Sequence, residues 1–391
     1  MIAPIIAVKA DAISLCQKPH LGVPSEQEIN EVIEAIKNSK FPVLLAGMRS
    51  SSQAETEAIR RLVQKTNLPV VETFQGAGVI SRELENHFFG RVGLFRNQVG
   101  DELLRKSDLV ITIGYDPIEY EASNWNKELD TKIINVDEEH AEITNYMQPV
   151  KELIGNIAGT IDMISEHVNE PFINQDHLDE LEKLRGEITE ATGIKATHKE
   201  GVMHPVEIIE TMQKVLTDDT TVTVDVGSHY IWMARKYRSY NPRHLLFSNG
   251  MQTLGVALPW AISAALVRPN TQVVSVAGDG GFLFSGQELE TAVRKNLNII
   301  QLIWNDGRYN MVEFQEEMKY KRSSGVEFGP VDYVKYAESF GAKGLRVTNQ
   351  EELEAALKEG YETDGPVLID IPVNYADNVK LSTNMLPNAL N

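Results

Sequence analysis

The sequence contains a single cysteine, Cys16, in 391 residues. One cysteine excludes an intramolecular disulfide and any thiolate cluster that holds zinc or an iron–sulfur centre, and it is typical of a cytoplasmic protein. Long apolar runs are also missing. Residues 1–13 are partly apolar but are interrupted by Lys9 and Asp11, and no run approaches the roughly 20 apolar residues that span a bilayer. The sequence therefore predicts neither a signal peptide nor a membrane span.

Positive charge is scarce as well. The 37 Lys and Arg residues are outnumbered by 56 Asp and Glu residues, which gives a formal net charge of −19. Nucleic acids and anionic membranes bind proteins through clusters of Lys and Arg, so neither is expected as a partner. Hydrophobic residues make up 42% and charged residues 24% of the chain, as in a globular protein. A chain of this length predicts two or three domains.

Short apolar strands alternate with amphipathic helices along the chain. In the first half we predict strands at 42–46, 69–72, 109–113 and 132–136. We also predict a helix that begins after the capping residue Ser25, and helices at 55–65 and 101–106. In the second half, after a helix at 205–216, we predict strands at 221–225, 273–277, 299–304 and 367–371. Such alternation predicts parallel sheets covered by helices on both faces. The fold class is therefore α/β, with two doubly wound parallel-sheet domains in series.

The two alternating units are separated by a charged segment that is predicted to be helical. Within it Leu178, Leu181 and Leu184 face one way and charged residues face the other. We predict a remnant or linker at 1–24, a Rossmann-like domain at 25–168, a helical linker at 169–200, a second α/β domain at 201–380 and a tail at 381–391.

Strand 273–277 is followed by a glycine-rich turn: Gly278, Asp279, Gly280 and Gly281. The glycines let backbone N–H groups approach an anion closely, and the Asp places a carboxylate beside it. A turn of this composition also occurs simply to start a helix, which makes the tetrapeptide alone a weak signal. The next helix is predicted to begin near Ser285, in a capping box with Glu288.

A second acidic turn, from Asn305 to Arg308, follows strand 299–304. Neighbouring parallel strands would place Asp279 and Asp306 side by side, with the backbone carbonyl of Arg308 as a third oxygen. Carboxylates and carbonyls are the ligands that Mg²⁺ prefers. The pairing of the two turns is far more specific than either alone, and it predicts a metal site.

Residues 278–306 resemble the motif of the thiamine-diphosphate-dependent enzymes, which begins Gly-Asp-Gly and ends Asn-Asn. This sequence has Asp306 where most members have Asn, and an additional carboxylate on a cation is chemically acceptable. The resemblance implies that the chain binds thiamine diphosphate through Mg²⁺, with Asp279, Asp306 and the Arg308 carbonyl as metal ligands. It also makes the second domain the cofactor-binding domain of this family.

Other segments resemble further parts of the same site. Residues 225–229 are similar to the diphosphate-contacting segment, and residues 248–259 to the loop that grips the rings of the cofactor. The resemblance implies cofactor contacts from Gly227, Ser228, His229, Gln252, Leu254 and Tyr309, and substrate contacts from Met311, Val312 and Gln315. In this comparison Leu254 matches the apolar wedge that bends the cofactor. Outside this context the ordinary interpretation of His229 is a surface or capping histidine. For Leu254, Met311 and Val312 it is packing in the core.

The first domain narrows the resemblance to catabolic, FAD-independent acetolactate synthases, through residues 72–79, 89–101 and 113–120. No Gly-x-Gly-x-x-Gly follows any of its predicted strands, so FAD is not predicted. For Arg91, Arg96 and Asp101, inter-domain salt bridges are an equally good explanation. The resemblance covers residues 24–377, nearly the whole chain.

The resemblance implies a transferase that condenses two pyruvate molecules to 2-acetolactate and CO₂, in acetoin or branched-chain amino acid formation, as a cytoplasmic homodimer or homotetramer. In this family an N-terminal domain supplies the glutamate that activates the cofactor, and the chain is expected to start after that domain. No catalytic residue is therefore assigned, and the isolated chain is expected to bind cofactor without turnover. An inactive cofactor-binding fragment, or a related 2-oxoacid decarboxylase or carboligase, are the alternatives.

Overall fold

The computed structural model describes residues 20–94, 98–173, 175–192, 194 and 196–382. These residues form two six-stranded sheets in succession, and the strand pairs within both sheets are parallel. The prediction of two doubly wound α/β units in series is thus confirmed.

The first unit has the strand order β3-β2-β1-β4-β5-β6. Its elements are α1 (Glu26–Lys37), β1 (Pro42–Ala46), α2 (Gln53–Thr66), β2 (Val70–Thr73), β3 (Phe88–Val92), α3 (Val99–Lys106), β4 (Leu109–Ile113), β5 (Lys132–Asp137), β6 (Lys151–Ile154) and α4 (Ile157–His167). The predicted cap of α1 is present: Ser25 accepts from the Glu28 amide, and the Glu28 carboxylate accepts from the Ser25 amide.

Helix α5 (Gln175–Thr192) lies between the two units in the chain, where a charged helix is predicted. Its residue Leu181 is buried, and Leu178 and Leu184 pack partly buried against the same apolar cluster on the first sheet. The leucine face therefore attaches this helix to the first unit.

The second unit has the strand order β11-β12-β10-β9-β7-β8. Its elements are α6 (Pro205–Val215), β7 (Thr221–Val224), α7 (Ser228–Lys236), β8 (Leu245–Phe247), α8 (Ala257–Val267), β9 (Val273–Gly278), α9 (Asp279–Phe282), α10 (Leu289–Arg294), β10 (Ile299–Asn305), α11 (Asn310–Tyr320), α12 (Tyr333–Phe340), β11 (Lys343–Arg346), α13 (Gln350–Glu362), β12 (Val367–Pro372) and α14 (Asn378–Ser382). None of the helices in the described ranges combines the length and hydropathy needed to cross a bilayer.

The central strands of each sheet are buried on both faces, which explains why they are rich in apolar residues. In β10, Ile300 and Leu302 belong to the apolar cluster on one face, and Ile299 and Ile303 to the cluster on the other. Successive side chains of a strand point to opposite faces, so a strand covered by helices on both sides needs apolar residues at nearly every position.

The capping box predicted at Ser285 and Glu288 is absent, although a helical turn does begin directly after Ser285. A one-turn helix, α9, begins directly after β9, and α10 begins only at Leu289. Between them Ser285 precedes a 3-10 turn at Gly286–Glu288, and its φ of −139° and ψ of 12° are not the extended conformation of a cap. The Glu288 amide donates to the Ser285 carbonyl and not to its hydroxyl.

Arg91 connects the two units through backbone carbonyls. Its guanidinium donates to the carbonyls of Ala234, at 3.2 Å, and Tyr237, at 2.7 Å, both near the end of α7. Its ion pair, with Glu72 at 3.1 Å, lies within the first unit. An inter-domain salt bridge is therefore the wrong description of this pair, although Arg91 does hold the two units together.

Asp101 has two hydrogen bonds within the first unit, and its charge also acts on Arg235 of the second unit. Its carboxylate accepts from the Gln98 amide at the start of α3, at 3.0 Å, and from the Tyr120 hydroxyl, at 2.6 Å. Arg96, the third residue of the predicted set, lies outside the described residues.

Candidate functional site

The order of the second sheet reverses at β7, because β8 pairs on one side of it and β9 on the other. Ligands of open parallel sheets bind beyond the carboxyl ends of the strands at such a switch point. A cavity of about 240 Å³ is found there. Its walls come from the residues that follow β7, β9, β10 and β12, and from the loop that precedes α8.

The cavity brings together all but one of the predicted site residues. Those that line it are Gly227, Ser228, His229, Gln252, Leu254, Gly278, Asp279, Gly280, Gly281, Asp306, Arg308, Tyr309, Met311 and Val312. Gln315 is exposed one turn further along α11 and does not line the cavity. Four further residues complete the wall without having been assigned a role from the sequence: Val226, Trp304, Asn310 and Tyr375.

The two predicted metal carboxylates follow neighbouring strands. Gly278 pairs with Trp304 in the β9–β10 ladder, so Asp279 and Asp306 leave the sheet at the same edge. One oxygen of Asp279 accepts from the Gly280 amide at 2.8 Å, and the other accepts from the Gly307 amide at 2.6 Å. These bonds tie the turn after β9 to the turn after β10.

Burial disfavours the charged form of both carboxylates, and the charge of Asp279 adds repulsion at Asp306. Burial raises the pKa of Asp279 to about 6. Burial, followed by the nearby charge of Asp279, raises the pKa of Asp306 to about 7. A divalent cation between two such groups relieves both penalties, because its charge replaces the lost hydration and cancels the repulsion.

The carbonyl of Arg308 is not needed by the surrounding backbone. The side chain of this residue pairs with Glu313. The short bridge between this turn and residues 326–328 uses the Gly307 carbonyl and the Tyr309 amide. Across the described residues no group of three or more His, Cys, Asp or Glu side chains is placed to hold a metal. Two carboxylates and a carbonyl therefore leave room for ligand oxygens.

His229 presents an unused nitrogen to the cavity. Its imidazole is 2% exposed, and burial lowers its pKa to about 3, so the ring is neutral. The Nε2 atom has no hydrogen-bond partner among the residues that the structure describes, and the same is true of Nε1 of Trp304. Buried polar atoms without partners are rare in proteins. A phosphate oxygen at Nε2 would supply the partner and favour the protonated ring.

Two glycines allow close approaches that a side chain would block. A Cβ on Gly227, where φ is +156°, would lie 2.7 Å from the His229 ring. A Cβ on Gly280 would lie 2.6 Å from the Tyr309 ring. Both contacts are far shorter than van der Waals distance, so glycine at each position lets an aromatic ring form the cavity wall.

Asp225, at the end of β7, holds the loop that contains Gln252 and Leu254. Its carboxylate is 1% exposed and accepts from the amides of Gly255, at 3.0 Å, and Ala257, at 3.3 Å. Burial raises the pKa of this carboxyl above its ordinary value. This contact could not be predicted from the sequence, because an aspartate at the end of a strand has many ordinary roles.

Comparison with known proteins identifies both units. Residues 29–164 match the family described as "Thiamine pyrophosphate enzyme, central domain". Residues 225–371 match the family described as "Thiamine pyrophosphate enzyme, C-terminal TPP binding domain". The chain belongs to the thiamine pyrophosphate enzymes. Its second sheet is the thiamine-diphosphate-binding domain of this family, and the cavity lies within that domain.

Several curated thiamine pyrophosphate enzymes are similar to the chain over most of its length. An acetolactate synthase of Bacillus subtilis (strain 168) is 49% identical over 369 residues, which cover 94% of this chain and 65% of the relative. A catabolic acetolactate synthase of Raoultella terrigena is 43% identical over 92% of this chain and 64% of the relative. The chloroplastic acetolactate synthase 1 of Nicotiana tabacum is 29% identical over 91% of this chain and 55% of the relative. The chain thus spans just under two thirds of the first two relatives.

The residues of the cavity fit the cofactor of the thiamine pyrophosphate enzymes. The unpartnered Nε2 of His229 and the amides at the start of α7 would suit an anion such as phosphate, and the carboxylates of Asp279 and Asp306 would suit a cation. Tyr375, which the sequence interpretation missed, follows β12 next to β10. The rule that placed Asp279 and Asp306 at the carboxyl ends of strands applies to β12 as well, so the same reasoning would have found it.

Proposed function

We propose that this protein is an acetolactate synthase that condenses two pyruvate molecules to 2-acetolactate and CO₂ with thiamine diphosphate and Mg²⁺. The observation on which this depends is the carboxylate pair Asp279 and Asp306 at the ends of neighbouring strands, in a chain 49% identical over 369 residues to an acetolactate synthase. The residues described above are proposed to form the diphosphate and metal half of the active site.

The metal ligands in this proposal are the carboxylates of Asp279 and Asp306 and the backbone carbonyl of Arg308. Two carboxylates and a carbonyl suit Mg²⁺, which also takes phosphate and water oxygens in its octahedral shell. The fixed positions of the Asp279 oxygens support the proposal, since backbone amides of both turns hold them.

The diphosphate is proposed to lie against the start of α7 and the turn after β9. His229 offers a side-chain contact there, with Gly227 giving its ring room to approach, and Ser228 offers its backbone amide. Gly281, in the short helix α9, also lines the cavity. Backbone N–H groups at helix starts favour phosphate because they are unpaired and carry partial positive charge.

The organic part of the cofactor is proposed to contact Gln252 and Leu254. Once bound, thiamine diphosphate supplies the carbon nucleophile and the electron sink for decarboxylation of pyruvate. Leu254 is partly buried and lines the cavity, as a wedge against the bent cofactor requires. Met311 and Val312 at the start of α11 are proposed to bound the space for pyruvate and to exclude water from it. The exposed Gln315 is left out of this assignment.

A second copy of the protein is proposed to cover the mouth of the cavity. Large apolar side chains near it are exposed, with Met251 91%, Ile118 64% and Phe284 57% accessible to solvent. Exposed apolar patches rimmed by polar residues mark protein interfaces. Light scattering coupled to size exclusion, with and without cofactor, tests for the proposed dimer or tetramer.

The activity test measures pyruvate-dependent formation of 2-acetolactate with thiamine diphosphate and Mg²⁺. It is run on this chain and on a fusion in which the chain follows the stretch of the Bacillus subtilis relative that it does not align with. We expect Mg²⁺-dependent cofactor binding by both proteins and turnover by the fusion. Asp279→Asn should abolish both properties, and Asp364→Asn, an exposed carboxylate, is the matched control.

Two results would contradict the proposal. Absence of Mg²⁺-dependent thiamine diphosphate binding by calorimetry would remove the cofactor site. Acetaldehyde or another aldehyde product in place of 2-acetolactate from the fusion would favour a decarboxylase or carboligase instead.

A further inference from the structure

A line of buried polar side chains runs from the middle of α7 to the proposed metal site. Nε1 of Trp232 donates to Oδ1 of Asn378 at 2.7 Å. Nδ2 of Asn378 donates to Oδ1 of Asn310 at 2.5 Å. Nδ2 of Asn310 donates to Oδ2 of Asp306 at 2.8 Å. Three consecutive hydrogen bonds thus connect an indole to a carboxylate through two amides.

The direction of this chain of bonds is fixed by its two ends. An indole nitrogen can only donate, so the oxygen of Asn378 must face Trp232. An ionised carboxylate can only accept, so the NH₂ of Asn310 must face Asp306. The two amides between them are consistent only with the orientation described, although amide oxygens and nitrogens are otherwise easily exchanged.

A serine hydroxyl completes the network. Ser228 Oγ accepts from Nδ2 of Asn378 at 2.8 Å and donates to Oδ1 of Asn310 at 2.8 Å. The second N–H of Asn378 is thereby satisfied, and the oxygen of Asn310 receives two donors. Ser228 is also the first residue of α7 and lines the cavity.

Three residues of this network are buried, so the loss of one of their hydrogen bonds is costly. Trp232 is fully buried, Asn378 is 2% exposed and Ser228 is 3% exposed. Water cannot readily replace a partner at such positions, so losing one bond leaves a buried polar group unsatisfied. Fully satisfied buried networks hold their members in one arrangement. The amide of Asn378, at the start of α14, therefore restricts Asn310 to the rotamer that faces Asp306.

We propose that Asn378 and Trp232 are positioning residues for the metal site: they orient the Asp306 carboxylate through Asn310, and neither touches the cation. This inference rests on the proposed function, since it requires Mg²⁺ at Asp279 and Asp306. It makes α14 a functional part of the cofactor-binding domain. Partners behind metal ligands affect affinity because they fix the orientation of the ligand.

The test measures metal affinity on the 391-residue chain with saturating thiamine diphosphate, using the electron paramagnetic resonance signal of free Mn²⁺. Trp232→Phe keeps an aromatic ring and removes the N–H that starts the network. Asn378→Ala removes the central amide. Each variant is expected to bind metal about tenfold more weakly, in the lower part of the range seen when the outer partners of metal ligands are removed. Asp306 itself is unchanged in both.

A double variant separates positioning from general damage. If both residues act through one network, Trp232→Phe adds no further weakening once Asn378→Ala is present. Trp125→Phe is the matched control, since Trp125 is an equally buried tryptophan, 2% exposed, that packs in an apolar cluster of the first unit and takes no part in this network. The control should bind metal as the unaltered chain does.

Nuclear magnetic resonance of the unaltered protein tests the positioning role even if a variant fails to fold. The indole N–H resonance of Trp232 should shift when Mg²⁺ is added with thiamine diphosphate, while that of Trp125 stays fixed.

Three results would each overturn the positioning role while leaving the proposed function intact. They are unchanged metal affinity in both single variants, losses of affinity that multiply in the double variant, and a Trp232 resonance that does not shift. If the unaltered chain binds no metal with thiamine diphosphate, both the proposed site and its positioning residues are wrong.

Discussion

Asp225 accepts the backbone amide of Gly255 at 3.0 Å, across 30 residues of sequence. This bond joins the end of β7 to the start of α8. The loop that directly precedes α8 contains Gln252 and Leu254. The position of two proposed cofactor contacts is therefore set by a carboxylate that does not itself line the cavity.

Replacement of Asp225 should loosen this loop and destabilise the fold. Asp225→Ala leaves the buried amides of Gly255 and Ala257 without their acceptor, at a cost of about 1–3 kcal/mol for each unpaired group. Asp225→Asn keeps one acceptor oxygen and should cost less. Urea unfolding measures the free energy of unfolding, and calorimetry should show weaker thiamine diphosphate binding in the same order. Equal affinity in all three proteins would contradict the proposed anchoring.

Replacing each of the two metal carboxylates by asparagine should lower Mg²⁺ affinity to a different extent. Asp279→Asn loses a carboxylate whose two oxygens hold both turns, and should reduce Mg²⁺ affinity by at least about 100-fold. Asp306→Asn keeps an oxygen ligand and removes the repulsion between the pair, so affinity should fall by a smaller factor, roughly 10- to 30-fold. Mg²⁺ titration at fixed thiamine diphosphate distinguishes them, and the reverse order would contradict the assigned ligands.

Glu119 should make the fold less stable as the pH rises from about 4.5 to about 7. Burial raises the pKa of this carboxyl to about 7 from its ordinary 4.5, despite bonds from the Thr73 hydroxyl and the Met48 amide. Between these values the folded protein retains a proton that the unfolded chain releases, so the free energy of unfolding falls, by on the order of 2–4 kcal/mol in total.

The variant Glu119→Gln removes this titration. The stability of the variant relative to the unaltered protein should increase from pH 5 to pH 8, as measured by urea unfolding at each pH. Glu121→Gln, at a nearby exposed position, is the control and should show a constant difference. A constant difference for Glu119→Gln as well would show that Glu119 titrates normally.

Loss of Arg91 should weaken the connection between the two units. Arg91→Ala leaves Glu72 buried, with only the more distant Arg238 at 3.8 Å, and frees the carbonyls of Ala234 and Tyr237. Breaking a buried pair from one side costs about 3–5 kcal/mol. Calorimetric unfolding should show a lower transition temperature. Adding Glu72→Gln should recover part of the loss, and a purely additive result would argue against coupling of the pair.

The strands that the sequence predicted are the central ones of each sheet. The four that it missed, β3, β6, β8 and β11, are the four edges. Only one residue of β6 is buried, and none of β11 is. Continuous apolar runs arise where helices cover both faces, so β6 and β11, with few buried residues, lack the signal on which the prediction depended.

The carboxylate pair of the site was predictable because its geometry follows from the sheet. Asp279 and Asp306 each end a strongly apolar strand, and neighbouring parallel strands end at one edge. The bond of Trp232 to Asn378 spans 146 residues and depends on side-chain orientation inside the fold. No periodicity or motif encodes such a contact, so it became visible only in the structure.

The loop before α8 is anchored in both units at once. At one end Asn249 donates to the carbonyl of Glu119 in the first unit, at 3.1 Å, and at the other end Gly255 is held by Asp225 in the second. The two halves are consequently not interchangeable modules. Grafting the second half onto another central domain would preserve every residue of the cavity wall and still misplace Leu254, unless the recipient offered a carbonyl at the position of Glu119.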